Sequence, residues 1–373
     1  MFTPAITGSG VFTPSDVITN DELVVAFNAY VDLYNADHAA EIEAGTVVAK
    51  EYSSSAFIEK ASGIKQRYVL DKDGVLDPTR MYPRFRQRSD DEPGIMTEIA
   101  LKACAVALEQ AGRSGEDIDL VICAASNMER AYPAVAIEIQ KELGAQGFAF
   151  DMNVACSSAT FGIQAAADMI RSGSVRSAIV VCPEITSGHL EWRDRDCHFI
   201  FGDVATAVVL ERDEAAKGAH WLVKSTRCVT KFSNNIRNNN GFLRRSRPDG
   251  VADRRDMQFM QNGRKVFKEV VPMVSTHILD HMSAEGVDAS DLKRIWLHQA
   301  NKGMNDFIGR KVLGRTPEAA EQPNILQDYA NTSSAGSIIA FAQYSKDMQP
   351  GDIGLVCSFG AGYSVGSVVL EKV

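Results

Sequence analysis

Apolar and polar positions along the chain form blocks that predict helices and strands in turn. A helical period covers 97–111, with Gly112 as the predicted stop, and another covers 157–172, just before Gly173. Near-continuous apolar runs, typical of strands in a sheet covered on both faces, lie at 119–124, 178–183 and 206–211. Further helices are predicted at 264–284 and 333–347, with strands at 294–298, 353–358 and 365–371. This alternation predicts an α/β fold.

The second half of the pattern repeats the first half when the sequence is shifted by 175 residues. At that offset Cys123 falls on His298, Cys156 on Asn331, and Cys182 on Cys357. Duplicated halves place equivalent loops on two sides of a pseudo-twofold axis, so a thiol of one half can meet an imidazole and an amide of the other. We therefore predict two halves, 1–213 and 214–373, that build one composite site.

Two segments lie outside the duplication. Residues 20–95, with a helical stretch at 21–45, are predicted to be a cap inserted after the first strand. Residues 231–257 are rich in Asn and Arg, and a solvated loop is the simpler interpretation. A phosphate-binding segment is the alternative, because arginine binds phosphate oxygens with two parallel hydrogen bonds. Its arginines are Arg237, Arg244, Arg245, Arg247, Arg254 and Arg255.

Composition narrows the possible functions. The chain has 373 residues, 45% hydrophobic and 23% charged, which is ordinary for a soluble protein of two fused domains. A net charge of -9 argues against general nucleic-acid binding, and no apolar run approaches the ~18 residues of a membrane span. The start of the chain lacks the pattern of a secretory signal. Seven cysteines without a Cys-x-x-Cys pair favour the reducing cytoplasm and support no structural metal site.

Cys156 is the candidate nucleophile. It follows the apolar strand 148–155 and begins a helix, where unpaired N–H groups and the helix dipole favour a thiolate. A buried structural thiol is the alternative interpretation. The small neighbours Ala155, Ser157 and Ser158 suit a tight turn with room for a substrate.

Two residues of the second half complete the candidate site. His298 ends a predicted strand, which is where α/β folds bind ligands, although a single histidine there is more often structural. Asn331 opens a predicted helix, and a helix cap is its simpler role. His277 and His281 are spaced four residues apart, but no further ligand supports a metal.

A glycine-rich turn, 359–366, follows a strand near the end of the chain. No helix or ribose-binding acid can follow it, so an oxyanion hole of main-chain N–H groups fits better than a dinucleotide loop. Cysteine with histidine indicates acyl transfer through a thioester. An asparagine cannot take a proton, but it can donate to the oxygen of an enolate formed by loss of CO₂.

These residues resemble the thiolase superfamily, and most closely the β-ketoacyl-acyl-carrier-protein synthase III family. The likeness covers nearly the whole chain. It is carried by the motifs 154–156, 200–203, 298–301, 331–334 and 359–362. The resemblance implies a duplicated thiolase-like fold in αβαβα layers and a homodimer.

The resemblance also implies a reaction. Cys156 would take an acyl group from acyl-CoA. His298 and Asn331 would then hydrogen-bond the thioester oxygen of malonyl-acyl-carrier protein as it loses CO₂, and the carbanion would attack the acyl group. The N–H groups of Cys156 and Ala361 would form the oxyanion hole. No cofactor is expected.

The substrate-binding positions match the family's pattern less closely than the catalytic positions do. The resemblance implies contacts to CoA or the acyl chain from Phe57, Tyr132, Arg195, Gly263, Gly360 and Gly362. It implies a carrier-protein patch of Lys268, Arg310 and Lys311. Arg195 falls at the family's adenine-stacking arginine, and Phe57 stands for the tryptophan that is its usual partner. Tyr132 stands for the residue that caps the partner subunit's acyl pocket. Ala61 and Gly303 replace two arginines.

The expected primer is a medium-chain acyl-CoA. Ala159 stands where bacterial housekeeping relatives have a large aromatic residue, and the 20–95 insertion adds further material. Both suggest an acyl pocket longer than an acetyl group requires.

Several alternatives remain open from the sequence. A degradative thiolase would need a second cysteine at Ser358, whereas Cys357 is one residue away and points to the opposite face of its strand. An acyltransferase or polyketide-type condensing enzyme shares Cys-His-Asn. A catalytically silent carrier-binding scaffold and a cysteine hydrolase are the remaining alternatives.

Overall fold

The computed structural model describes residues 1–246 and 254–373. Within them the strands are β1 (Pro4–Phe12), β2 (Asp16–Thr19), β3 (Gln66–Val69), β4 (Leu120–Ala124), β5 (Phe148–Met152), β6 (Ser177–Glu184), β7 (Val204–Arg212), β8 (Trp221–Ser233), β9 (Ile236–Arg237), β10 (Met260–Gln261), β11 (Leu292–Leu297), β12 (Ile353–Gly360) and β13 (Gly362–Lys372). The helices are α1 (Asn20–Asp37), α2 (Ala39–Glu43), α3 (Ser55–Ser62), α4 (Lys72–Leu76), α5 (Ile95–Ala111), α6 (Val135–Leu143), α7 (Ser158–Ser172), α8 (Gly263–Glu285), α9 (Lys302–Leu313), α10 (Leu326–Tyr329) and α11 (Gly336–Gln343).

The two halves of the chain share one hydrogen-bonded sheet, ordered β11-β12-β13-β8-β1-β7-β6-β4-β5. Helical crossovers give parallel neighbours in both halves: β4 runs parallel to β5 and to β6, and β11 runs parallel to β12. The halves join where β1 pairs antiparallel with β8 through Ala5 and Ile6. Strand ends that carry Cys156 and His298 therefore belong to opposite arms of the sheet.

Helices cover this sheet in layers. Helices α7 and α11 lie in the central layer, where Ile163 and Ile338 pack with Ile122 of β4 and Val356 of β12. Helices α5 and α6 cover the outer face of the first half, and α8 and α9 cover that of the second half. The predicted αβαβα arrangement is confirmed. No helix among the described residues is long and apolar enough to cross a membrane.

The inserted cap folds around its own apolar cluster. Thr19 and Glu22 form a reciprocal capping box that starts α1, and Ile18 and Phe27 pack with Trp192 and Phe201 of the segment that follows β6. Buried Arg67 donates to the carbonyl oxygens of Ile18 and Phe199, with N–O distances of 3.1 and 3.2 Å. These contacts fix the cap against a loop that borders the site.

Helix ends follow the sequence closely where glycine marks them. Gly112 and Gly173 adopt the left-handed conformation at the ends of α5 and α7, as predicted. The helix predicted at 333–347 instead begins with a 3₁₀ turn, Ser333–Ala335, and its α-helical part ends at Gln343. No glycine or proline marks that end in the sequence.

The segment 231–257 is only partly a loop. Strand β8 extends to Ser233 because it pairs along β13, and β9 pairs with β10. Arg247 and the side chain of Arg245 lie outside the described part of the chain.

Candidate active site

Cys156 lies in a tight turn between β5 and α7. The 3₁₀ turn Ala155–Ser157 precedes the α-helix, and Ala155 has a positive φ of 49°. Ala330, its counterpart in the second half, has a φ of 56°. Strained backbone at both duplicated positions is typical of functional turns, since a folded scaffold must hold it in place. Ser158 donates to the carbonyl oxygen of Ala155 at 2.7 Å, which closes the turn.

His298 follows β11 directly. Its N–H donates to the carbonyl oxygen of Cys357 at 2.8 Å, and Asn305 Nδ2 donates to its carbonyl oxygen at 3.0 Å. The imidazole ring meets the ring of Phe359 edge to face, with centroids 5.2 Å apart. Backbone hydrogen bonds and ring packing thus fix the orientation of the imidazole.

Asn331 forms an isolated parallel β-bridge with Phe201, just before the 3₁₀ turn Ser333–Ala335. Its N–H donates to Ile200 at 2.9 Å, and its carbonyl oxygen accepts from Gly202 at 3.2 Å. Its Oδ1 accepts from the N–H of Ser333 at 2.9 Å. This last bond orients the carboxamide, and its Nδ2 makes no hydrogen bond to the described residues, so it can donate to a substrate.

Cys156, His298 and Asn331 line one cavity of about 600 Å³. The sequence offset therefore identified residues that the fold brings together. The rest of its wall is mainly apolar, and the cap, the 199–201 segment, α8 and α9 all contribute. These wall residues include Phe57, Ala61, Ile64, Phe199, Ile200, Phe201, Ile236, Phe259, Val266, Phe267, Val270, Met304 and Phe359.

A second cavity, of about 350 Å³, also reaches Cys156. Phe201, Ile236 and Phe259 contribute to the walls of both cavities. The turn 126–128 after β4 contributes a further part of the smaller cavity's wall, together with polar side chains of Asn153 and His189. Cys156 therefore lies where two cavities meet, which suits a residue that receives a group from one cavity and holds it in the other.

Burial governs the ionisation of the site. It raises the pKa of Cys156 to about 11 and lowers the pKa of His298 to about 3. Nearby hydrogen bonds favour the thiolate, as expected from the sequence, but desolvation outweighs them. At neutral pH the site holds a thiol and a neutral imidazole.

Several donors surround the sulfur of Cys156. Ser333 Oγ donates to Sγ at 3.5 Å. The main-chain N–H groups of Ala361 and Cys156 lie close enough to hydrogen-bond the sulfur, and both lower the pKa of the thiol. These are the two N–H groups that the family resemblance assigns to an oxyanion hole.

Comparisons with known proteins agree with this geometry. Family models for 3-oxoacyl-[acyl-carrier-protein] synthase III and for its C-terminal part match residues 150–227 and 282–372. A β-ketodecanoyl-[acyl-carrier-protein] synthase of Pseudomonas aeruginosa is 56% identical over 93% of this chain and 99% of its own length. The chain belongs to the 3-oxoacyl-[acyl-carrier-protein] synthase III family.

Other relatives extend the likeness over the whole chain. A β-ketoacyl-[acyl-carrier-protein] synthase III of Granulibacter bethesdensis is 29% identical over 98% of both chains. The crystal structure of the synthase III of Aquifex aeolicus matches with a TM-score of 0.76 and 25% identity over 99% of each chain. This member of the synthase III family is therefore an acyltransferase-type condensing enzyme with the thiolase-like fold.

Most of the predicted substrate-binding residues lie around the larger cavity of this synthase. Phe57, Gly263, Lys268 and Gly360 line it. The guanidinium of Arg195 lies over the Phe57 ring, 4.5 Å from its centroid, so the two expected partners are neighbours. Their stacking with an adenine stays a prediction.

Five predicted residues lie outside that lining: Arg195, Tyr132, Arg310, Lys311 and Gly362. Arg310 packs its guanidinium over Phe307 at 4.7 Å, and Phe307 meets Phe267 edge to face at 5.6 Å, which brings Arg310 to the same side of the molecule as Lys268. Lys311 is exposed in the last turn of α9. Gly362 is exposed just after β12 and lines neither cavity.

Tyr132 is 85% exposed and lines neither cavity in the single chain. Its role at the pocket of a partner subunit stays a prediction. Arg237 lines the smaller cavity, whereas Arg255 lies with Arg193 and Arg195 in a separate polar hollow. Arg255 Nη2 bonds the carboxylate of Asp194 at 2.9 Å.

The structure contradicts one expectation, that the small Ala159 lengthens the acyl pocket. Ala159 is fully buried in the central core and lines neither cavity, so its small size adds no room to an acyl pocket. Cys357 packs in the outer core, and Ser358 hydrogen-bonds Ser337 at 2.7 Å. His277 and His281 both bond the hydroxyl of Ser367, and no metal-ligating cluster occurs among the described residues.

The sequence analysis missed most of the cavity wall. Phe199, Phe201, Phe259 and Phe267 belong to separate segments, and nothing in their local sequence marks them as neighbours. It also missed Glu184, a carboxyl buried beside the site, although a charged residue that ends an apolar strand is a signal that could have identified it.

Gly360 is fixed by its distance to the nucleophile. A Cβ at this position would lie 2.6 Å from Cβ and 3.0 Å from Sγ of Cys156. Gly360→Ala is therefore expected to displace the nucleophile and lower the rate of Cys156 acylation roughly a hundredfold, since a shift of about 1 Å costs that much. Gly351→Ala is a control, because nothing lies near its Cβ position, although its φ of 90° adds local strain. Acylation of the Gly360→Ala protein at the unaltered rate would contradict this account of the contact.

Proposed function

We propose that the protein condenses a medium-chain acyl-CoA primer with malonyl-acyl-carrier protein, with loss of CO₂, to give 3-oxoacyl-acyl-carrier protein. The observation that supports this most strongly is the lining of one apolar cavity by Cys156, His298 and Asn331, with two main-chain N–H groups at the sulfur. A β-ketodecanoyl synthase that shares 56% of its residues with this chain supports the medium-chain assignment.

The first half-reaction transfers the acyl group to Cys156. The sulfur attacks the thioester carbonyl carbon, and the N–H groups of Cys156 and Ala361 donate to the oxygen that becomes negative. The bond between that carbon and the CoA sulfur then breaks, and the proton of the Cys156 thiol ends on the departing CoA. His298 is too weak a base to keep this proton, because burial holds its pKa near 3.

The second half-reaction uses the neutral side chains. The malonyl carboxylate leaves as CO₂, and its bonding electrons form an enolate on the thioester. Asn331 Nδ2 and the N–H of neutral His298 donate to the enolate oxygen. The carbon of the enolate attacks the acyl-Cys156 carbonyl, the carbon–sulfur bond breaks, and the released thiolate takes up one proton. The thioester itself accepts the electrons, so the reaction needs no cofactor.

The two cavities suggest how the substrates divide the space. The larger cavity carries Arg264 and Lys268 in its wall, with Arg310 near its rim, and suits the thioester arm of an anionic CoA or an acidic carrier protein. The acyl chain then extends past Cys156 into the smaller cavity. Phe201, Ile236 and Phe259 offer it apolar contact.

A homodimer in the cytoplasm is part of the proposal. Strand β5 lies at the edge of the sheet, with Phe148 on it about half exposed, and Tyr132 is exposed in the loop between β4 and α6. A second copy that pairs along β5 would cover this edge and bring Tyr132 to the partner's smaller cavity.

Chain length tests the proposed primer. We expect kcat/KM for condensation to rise about fourfold per methylene from butyryl-CoA toward octanoyl-CoA, because each buried CH₂ contributes about 0.8 kcal/mol. Mass spectrometry of the 3-oxoacyl-carrier product measures each rate. Equal or faster turnover of acetyl-CoA would contradict a medium-chain primer, and acyl transfer without CO₂ release would indicate a plain acyltransferase.

A further inference from the structure

A buried carboxyl lies next to the site without a role in the proposed chemistry. Glu184 ends β6, and only 1% of its surface is exposed. Its Oε1 accepts from the N–H of Ser126 at 3.0 Å and of Ser334 at 3.1 Å, and from the Ser334 hydroxyl. Its Oε2 accepts from Ser126 Oγ at 2.6 Å. All four donors are neutral, so the carboxyl is fully hydrogen-bonded but not ion-paired to them.

These four hydrogen bonds connect the two halves of the chain. Ser126 follows β4 in the first half and lines the smaller cavity. Ser334 belongs to the 3₁₀ turn of the second half, whose first residue, Ser333, donates to Cys156 Sγ and to Asn331 Oδ1. The carboxyl of Glu184 is therefore one residue away from the turn that orients both the sulfur and the carboxamide.

The charge of Glu184 also reaches the nucleophile. Burial raises the pKa of Glu184 to about 7, so the group titrates in the working range of an enzyme. Its negative charge raises the pKa of three thiols, those of Cys123 on β4, Cys182 on β6 and Cys156 itself. A carboxylate here disfavours the thiolate of Cys156 through like-charge repulsion.

We propose that Glu184 is a positioning residue of the condensation reaction, which holds the Asn331–Ser334 turn against the strand end that borders Cys156. The inference rests on the proposed function. The residue touches no reacting atom. It acts through Ser334 on the placement of Asn331 and Ser333, and its charge adjusts the ionisation of the thiol.

Two variants separate placement from charge. Glu184→Gln keeps an oxygen for the Ser126 and Ser334 donors, and its amide can donate to Ser126 Oγ after the hydroxyl rotates, so the turn stays in place. Glu184→Ala removes all four bonds. We expect kcat for condensation to fall roughly thirty- to a hundredfold in the alanine variant, with KM for acyl-CoA within about threefold, and to stay within about threefold in the glutamine variant.

Alkylation of the thiol gives a readout that needs no substrate. In Glu184→Gln the pH midpoint for alkylation of Cys156 by iodoacetamide is expected to move down by about 0.5–1 unit, because a like charge is removed. Glu211→Gln is the matched control, because it also removes a buried carboxylate of the first half. Glu211 lies near the C-terminal end of β7 and accepts a hydrogen bond from Arg113. The thermal stability of this variant can fall, but neither kcat nor the midpoint should move.

The outcomes distinguish this inference from the function on which it rests. A folded Glu184→Ala protein with unaltered kcat would overturn the positioning role. A Glu184→Gln midpoint equal to that of the unaltered protein would overturn the effect of the charge on the thiol. If the alanine variant does not fold, Ser334→Ala takes its place, because it removes the hydroxyl hydrogen bond between Glu184 and the turn, and an unaltered kcat in that variant would overturn the positioning role. Absence of condensation by the unaltered protein would overturn the proposed function instead.

Discussion

Cys156→Ala is expected to lower the condensation rate at least about ten-thousandfold, to the background of the uncatalysed reaction. Without the sulfur no acyl-enzyme forms, and removal of a covalent nucleophile typically costs this much or more. The variant should still fold, because the cavities on either side tolerate the loss of one atom. Its decarboxylation of malonyl-acyl-carrier protein should persist, since His298 and Asn331 are untouched. Product formation and CO₂ release, followed in parallel, measure the two activities.

Cys182→Ala is the matched control for this variant. Cys182 is the equivalent of Cys357 in the duplicated pattern and packs in the central core. Its replacement should lower the melting temperature, because it leaves a small cavity, and should keep the condensation rate within a few-fold of the unaltered protein's rate. Condensation by Cys156→Ala at even a hundredth of the normal rate would show that another group carries the acyl chain.

The second large effect concerns the two neutral donors of the second half. Asn331→Ala and His298→Ala are each expected to lower the decarboxylation rate about a hundred- to a thousandfold, the usual cost of one donor to a developing oxyanion. Acylation of Cys156 by acyl-CoA should remain within about tenfold, because its oxyanion donors are main-chain N–H groups. Release of labelled CO₂ and the rate of acyl-enzyme formation measure the two steps separately.

A control for these variants comes from another buried histidine. His281 bonds Ser225 and Ser367 beneath α8, and His281→Gln should leave both steps nearly unchanged. Equal losses of acylation and decarboxylation in Asn331→Ala would mean that the carboxamide supports the structure rather than the enolate. Unaltered decarboxylation in both variants would contradict the proposed roles of Asn331 and His298 as donors to the enolate oxygen.

Much of the fold could be predicted from local pattern. Glycines at 112 and 173 mark helix ends because they alone adopt the left-handed conformation without strain, and both predictions are confirmed. The offset that pairs Cys156 with Asn331 reflects a real duplication, since both lie in strained turns at the entrance to a central helix. The helix predicted to reach 347 ends at Gln343. Its end was placed too late because no glycine or proline marks it in the sequence.

The site could be predicted only in part. Cys156, His298 and Asn331 could be identified because residues of suitable chemistry fall at matching positions when the sequence is shifted by 175 residues. The ionisation of Cys156 could not be predicted, because desolvation depends on residues distant in sequence. Phe57, Phe199 and Phe267 come from three separate segments of the chain and meet in the apolar wall. No local sequence pattern predicts that they are neighbours. The proposed role of Glu184 depends on its hydrogen bonds to Ser126 and Ser334, which only the tertiary structure brings close to it.

The central claim is that the sulfur of Cys156 receives the acyl group in a site completed by the other half of the chain. Mass measurement of the intact protein after incubation with acyl-CoAs of graded length tests it most directly. The account predicts one added acyl group per chain, most rapid for medium-length primers, located on the peptide that contains Cys156, lost in Cys156→Ala and discharged by malonyl-acyl-carrier protein. An unmodified protein, or an acyl group that persists in Cys156→Ala, would contradict it.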